Sequence, residues 1–132
     1  MAARILIADD NPTMRNCVGK LVGSHSEWEV CGEATDGRQA VELARKLAPD
    51  ILILDFRMPG INGLDAARQI VEVSPGTAIV LCTICLSTEL IELARAVGIA
   101  GAISKNNLNR LVMSIEALLN GNSFYLCDRC GE

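Results

Sequence analysis

Three carboxylates stand at the ends of short aliphatic runs. Asp9 and Asp10 follow Ile5-Leu6-Ile7-Ala8, and Asp55 follows Ile51-Leu52-Ile53-Leu54. Acids carried to the tips of apolar strands lose hydration unless something compensates them. Two carboxylates ~4 Å apart repel by about 4 kcal/mol at an effective dielectric of ~20, and a divalent cation between them removes that repulsion. An all-oxygen donor set with no matching His or Cys suits Mg²⁺, which keeps several waters and favours phosphate oxygens. Two more apolar runs end in Thr83 and Lys105, adding a hydroxyl and an ammonium. A cation, an ammonium and a hydroxyl around one carboxylate suit a phosphoryl group on that carboxylate. Asp55 is the expected acceptor, because its strand reads as the most buried and central.

These groups need elements that bring them to one rim. Strands are expected at 4–8, 28–34, 51–55, 77–83 and 100–104, each followed by apolar residues at helical spacing. Met14, Cys17, Val18, Leu21 and Val22 mark the first helix, with Pro12 in its opening turn and Asn11 or Asp10 as cap. Asp36-Gly37-Arg38-Gln39 opens a second helix, carrying Ala40, Leu43, Ala44 and Leu47 up to Pro49. A third starts near Gly63 with Leu64, Ala67 and Val71. A fourth follows Ser87 with Leu90, Ile91, Ala94 and Val97, and stops at Gly98. The fifth carries Leu108, Leu111, Val112, Ile115, Leu118 and Leu119, closed by Asn120-Gly121. Strict alternation of this kind implies a parallel sheet with helices on both faces. In such sheets ligands sit at the carboxyl ends of the strands, where Asp9, Asp10, Asp55, Thr83 and Lys105 all fall.

The chain has 132 residues, enough for one domain, and only 3% are aromatic, so its core is mainly aliphatic. A net charge of −4 without a basic cluster argues against direct nucleic-acid binding. No apolar run approaches the ~18 residues of a membrane span. Met1-Ala2-Ala3-Arg4 leads straight into a strand without a signal peptide, so a cytoplasmic protein with reduced thiols is expected. Cys17 and Cys31 fall at apolar positions and are expected in the core. Cys82-Thr83-Ile84-Cys85 and Cys127-Asp128-Arg129-Cys130 could on paper form a Cys₄ zinc site. The first pair straddles Thr83 and Cys82 belongs to a buried strand, so that site is not expected. His25, the one histidine, is expected to be solvated.

In order and spacing these motifs resemble the receiver domain of two-component response regulators. The resemblance is carried by Ile7-Ala8-Asp9-Asp10, Asp36-Gly37, the run from Pro49 to Gly63, Thr83, and Gly101 to Lys105, and spans residues 4–121. It implies a flavodoxin-like, doubly wound (βα)5 fold with a five-stranded sheet in the order 2-1-3-4-5. Residues 122–132 would be a tail or the start of a linker. It further implies that Asp55 takes phosphate from a phosphohistidine on a sensor histidine kinase. Asp10, Asp55 and the backbone carbonyl of Arg57 would bind Mg²⁺, with Asp9 assisting through metal-bound water. Thr83 and Lys105 would contact the phosphoryl oxygens. The response would be a change of the helix 4–strand 5–helix 5 surface or homodimerisation. Asn106 after Lys105, and the segment up to Asn120-Gly121, are similar to the LuxR/NarL-type subfamily. There a receiver precedes a helix-turn-helix domain, so DNA would be reached only through an output domain outside this chain.

One position departs from the pattern. Ala102 stands three residues before Lys105, where the family usually carries Tyr or Phe as a rotameric switch. This gives weight to a pseudo-receiver with an unused pocket. Arg57 and Cys85 occupy positions that tune phosphate lifetime in the family. A haloacid-dehalogenase-like phosphohydrolase would need a second aspartate two residues after the nucleophile, where this chain has Arg57. A flavin-binding domain of the same topology would need a phosphate-cradling loop after strand one, which is not evident. The expected protein is therefore a signalling domain, not an enzyme.

Overall fold

The computed structural model describes residues 2–84 and 86–126. Four short strands are the frame: β1 (Ala3–Ala8), β3 (Ile51–Leu54), β4 (Ala78–Thr83) and β5 (Gly101–Ser104). β1, β3 and β4 carry aliphatic runs without alternation because both sides of the sheet are covered. Successive residues of each strand enter opposite layers. Leu6, Ala8, Leu52, Leu54, Ile79, Leu81 and Ala102 pack into one cluster with α2 (Gly37–Leu47), α3 (Gly63–Val73) and α4 (Thr88–Val97). Ile5, Ile7, Ile51, Ile53, Val80, Cys82 and Ile103 pack into the other with α1 (Pro12–Gly23) and α5 (Leu111–Leu119).

All strand pairs are parallel, and β2 (Trp28–Ala34) flanks β1. The expected order 2-1-3-4-5 is present, and the sheet extends beyond it. A sixth strand, β6 (Phe124–Leu126), lies parallel to β5 and makes the order 2-1-3-4-5-6. The five-stranded expectation is corrected in that respect: Phe124 to Leu126 form a strand inside the segment read as tail or linker.

Helix ends follow the cap chemistry. The Asn11 side chain accepts from Thr13 and Met14 N–H groups, so Asn11 rather than Asp10 caps α1. Asp36, Asn62 and Ser87 cap α2, α3 and α4 in the same manner. The last helix begins later than its apolar stripe implies. Lys105–Arg110 form a 3-10 turn in which Asn107 departs from helical angles (φ −121°, ψ 41°). Leu108 still packs on the α5 side of the sheet, so the stripe is continuous although the α-helix starts at Leu111.

Several single-residue expectations are corrected. Cys17 is exposed, because the buried line of α1 runs through Val18 and Val22, about 100° away. Cys31 is only half-buried. Val71 and Leu119, expected on buried stripes, are 36% and 40% exposed. His25 is not a freely solvated ring: it stacks on Trp28 at 3.8 Å and lies 3.7 Å from a Glu116 carboxylate oxygen.

Candidate functional site

The sheet ladder continues one residue beyond the strands that carry the acids. The Asp55 N–H donates to the Ala8 carbonyl at 3.0 Å, and the Asp9 N–H donates to the Ala34 carbonyl at 3.0 Å. Both residues are thus fixed at the rim by backbone before their side chains do anything. The segment after Asp55 is folded tightly back on it. The Gly63 N–H donates to the Phe56 carbonyl at 2.7 Å. A Cβ at position 63 would lie 2.4 Å from the Asp55 carbonyl oxygen, so only glycine lets α3 start this close.

The structure brings the expected side chains together. Carboxylate oxygens of Asp9, Asp10 and Asp55 all lie within 4.8 Å of one another. Asp9 and Asp55 are buried, each 5% exposed, whereas Asp10 faces solvent. Lys105, directly after β5, joins the two buried acids: its Nζ is 2.7 Å from Asp9 Oδ2 and 3.1 Å from Asp55 Oδ2. Asp9 Oδ1 accepts from the Asn11 N–H at 2.9 Å. Among the described residues Asp55 Oδ1 receives a long contact from the Arg57 N–H, 3.4 Å. A small open depression of about 90 Å³ lies above these groups, lined by Asp55, Arg57, Thr83, Ile84 and Lys105. It is well below the roughly 300–1,000 Å³ of sites that enclose whole small molecules. A phosphoryl-sized group suits it; a nucleotide or flavin does not.

Electrostatics follow from burial. Burial raises the Asp55 carboxyl above its ordinary value, the Lys105 ammonium pulls it down, and Asp9 raises it again; the net direction is up. For Lys105 burial alone would push the ammonium down, but its hydrogen bond and ion pairs with Asp9 and Asp55 reverse this and raise it. One ammonium thus serves two buried carboxylates, with the third beside them. Asp9 and Asp55 at 4.8 Å or less repel by about 3 kcal/mol or more at an effective dielectric of ~20. Among the described residues the cluster is three carboxylates, a hard-oxygen set that fits Mg²⁺. The thiol of Cys82 offers no competing ligand, since burial pushes it up to about 12. Cys85, Cys127 and Cys130 lie outside the described residues.

Three contributors were not singled out by pattern. Asn11 gives Asp9 a backbone N–H, a role its place just after Asp9-Asp10 could have suggested. Arg15 reaches back to the Asp9 carbonyl at 2.8 Å while pairing with Glu33 at 3.1 Å. Ile84, 61% exposed, is an apolar wall of the depression. Nothing in its spacing announces that position.

The fold and this rim define a class. The family model of the response regulator receiver domain matches residues 5–116, and the chain belongs to that family. It is a receiver domain of two-component response regulators, a signalling domain. The chain is 41% identical over 83 residues to the chemotaxis protein CheY of Thermotoga maritima, covering 63% of this chain and 68% of that one. It is 29% identical over 122 residues to the response regulator GacA of Pseudomonas aeruginosa, covering 92% of this chain and 57% of that regulator. A crystal structure of a LuxR-family two-component response regulator from Aurantimonas sp. SI85-9A1 superposes with a TM-score of 0.90 at 30% identity, covering 94% of this chain and 89% of that one. The chain spans as little as 21% of the length of some curated relatives. Among the described residues no helix is long and apolar enough to cross a membrane.

Proposed function

We propose that Asp55 accepts a phosphoryl group from a phosphohistidine on a partner sensor kinase. An Asp55 carboxylate oxygen attacks phosphorus, a P–O bond forms, and the P–N bond to the imidazole breaks. The imidazole leaves with the electron pair and takes up a proton. Asp10, Asp55 and the Arg57 carbonyl would hold Mg²⁺, with Asp9 assisting. Bound there, Mg²⁺ supplies positive charge to the carboxylates and to the incoming phosphoryl oxygens. Lys105 supplies a second positive charge to those oxygens, and the Thr83 hydroxyl donates to a third direction. Charge placed where it develops is the main means of lowering such a barrier.

One observation carries this reading: Asp55 sits buried at the tip of the central strand with Lys105 Nζ at 3.1 Å and two more carboxylates within 4.8 Å. Residues 1–121 would carry the receiver chemistry, with β6 added at the sheet edge, acting in the cytoplasm. Control of transcription through an attached output domain, with homodimerisation as one form of response, is supported by the likeness to GacA and to the LuxR-family structure. The direct test is to expose the protein to acetyl phosphate with Mg²⁺ and measure its intact mass. One added phosphoryl group is expected, lost in Asp55→Ala and on chelation of the metal. An unchanged mass, or the same gain in Asp55→Ala, would falsify this assignment.

A further inference from the structure

β6 is the element of this molecule with no assigned purpose, and it is built in rather than laid on. The Phe124 N–H donates to the Ala100 carbonyl at 3.2 Å. Phe124 packs against the α1/α5 layer and Tyr125 against the α2/α3/α4 layer, so these two residues cover both faces of the sheet. The Tyr125 hydroxyl donates to the Ile99 carbonyl at 2.6 Å, and the Arg95 guanidinium of α4 lies 4.3 Å over its ring. In register, Tyr125 stands beside Ala102, which is fully buried and has no side chain beyond Cβ. At Gly101 a Cβ would lie 2.8 Å from the Phe124 carbonyl oxygen, so the two strands are at the limit of approach there.

We propose that β6 is a docked edge strand whose hold on β5 depends on the state of Asp55, with Tyr125 as the residue that reads β5. This rests on phosphoryl acceptance at Asp55. The path is short. Lys105 immediately follows β5, and its Nζ lies between Asp9 and Asp55. A phosphoryl group adds about two negative charges beyond the Asp55 oxygens, and Nζ must follow them. β5 has four residues, with β4 on one side and β6 on the other, so little chain is available to absorb the pull. Among the described residues β6 has β5 as its single strand neighbour, and the close approach at Gly101 leaves it no slack. Modification therefore loosens β6 and uncovers the β5 edge.

The test is hydrogen exchange on the 132-residue chain, unmodified and treated with acetyl phosphate and Mg²⁺, with occupancy of Asp55 read from the intact mass of the same samples. On modification the Phe124 amide is expected to exchange about tenfold faster or more, in proportion to occupancy. Tyr125→Ala should exchange fast in both states and still take up phosphoryl. Tyr125→Phe, which keeps the ring over Arg95 and loses the bond to Ile99, should fall between. Equal protection of residues 122–126 with Asp55 fully occupied overturns the proposal and leaves the receiver assignment standing. No mass gain removes both.

Discussion

Lys105 is the residue on which the site's charge balance turns. It is buried with two carboxylates that would otherwise face each other unshielded. Removing one member of a buried ionic group leaves the others uncompensated, which costs more than the group itself contributes. Lys105→Ala should therefore lower the stability of the metal-free protein by about 3 kcal/mol. The same variant should bind Mg²⁺ more tightly, since the ammonium no longer competes for the carboxylates. Urea midpoints with and without Mg²⁺ read both effects; an unchanged midpoint in metal-free buffer would count against the ion pairs. Asp55 behaves in the opposite sense. Burial raises its carboxyl above the ordinary 3.8, so the folded chain holds that proton more tightly than the unfolded chain does. Its contribution to stability is full below 3.8 and is lost as pH rises through the raised folded value. Metal-free Asp55→Asn should thus be more stable than wild type at neutral pH, with the gap narrowing toward acid. Denaturation at a series of pH values in a chelator gives the sign directly.

At the level of elements, α2 ends under strain. Its cap, Ala48, sits in the left-handed region (φ 44°, ψ 60°), and the Arg4 guanidinium donates to the Leu47 carbonyl at 2.5 Å to close the turn. A side chain at such an angle costs roughly 1–2 kcal/mol, part of which glycine would return in unfolded-state entropy. Ala48→Gly is expected to stabilise by about 0.5–1 kcal/mol in urea titration. The elements also show what the amino-acid order could and could not reveal. β1, β3 and β4 were readable because burial on both faces demands uninterrupted aliphatic runs. The acids beyond them were readable because a charge at the end of such a run has no packing reason to be there. Phe124-Tyr125-Leu126 was not readable: three residues carry no period, and their pairing depends on a glycine 23 positions earlier making room. The face of α1 was misjudged because Cys17 and Val18 are both small and apolar, and only the angle at which the helix meets the sheet separates them. The stack of His25 on Trp28 was hidden because it forms across the turn between α1 and β2, where no regular period applies.

For the whole molecule, β6 changes the boundary of the fold. A chain ending at Gly121 would retain every residue of the acid cluster yet expose the β5 edge and uncover Ala102. Phe124 and Tyr125 are both partly buried, and their loss should cost about 2 kcal/mol. An open edge strand also invites pairing between copies. Truncation after Gly121 is therefore expected to lower the urea midpoint and raise the apparent mass in light scattering, while acceptance at Asp55 persists. A truncated chain as stable and as monodisperse as the full one would mean that β6 adds nothing to the fold.

The parallel direction of β6 also decides from which pole of the molecule the polypeptide departs. α5 runs back against the strands and finishes at the pole opposite the acids. β6 crosses the sheet once more, with Leu126 level with Ile103, two residues before Lys105. The described chain thus leaves the sheet at the charged rim. Freed from β5, the same segment would be anchored at Gly121 on the far side. A strand of three residues in this way decides at which pole of the domain the chain leaves the sheet.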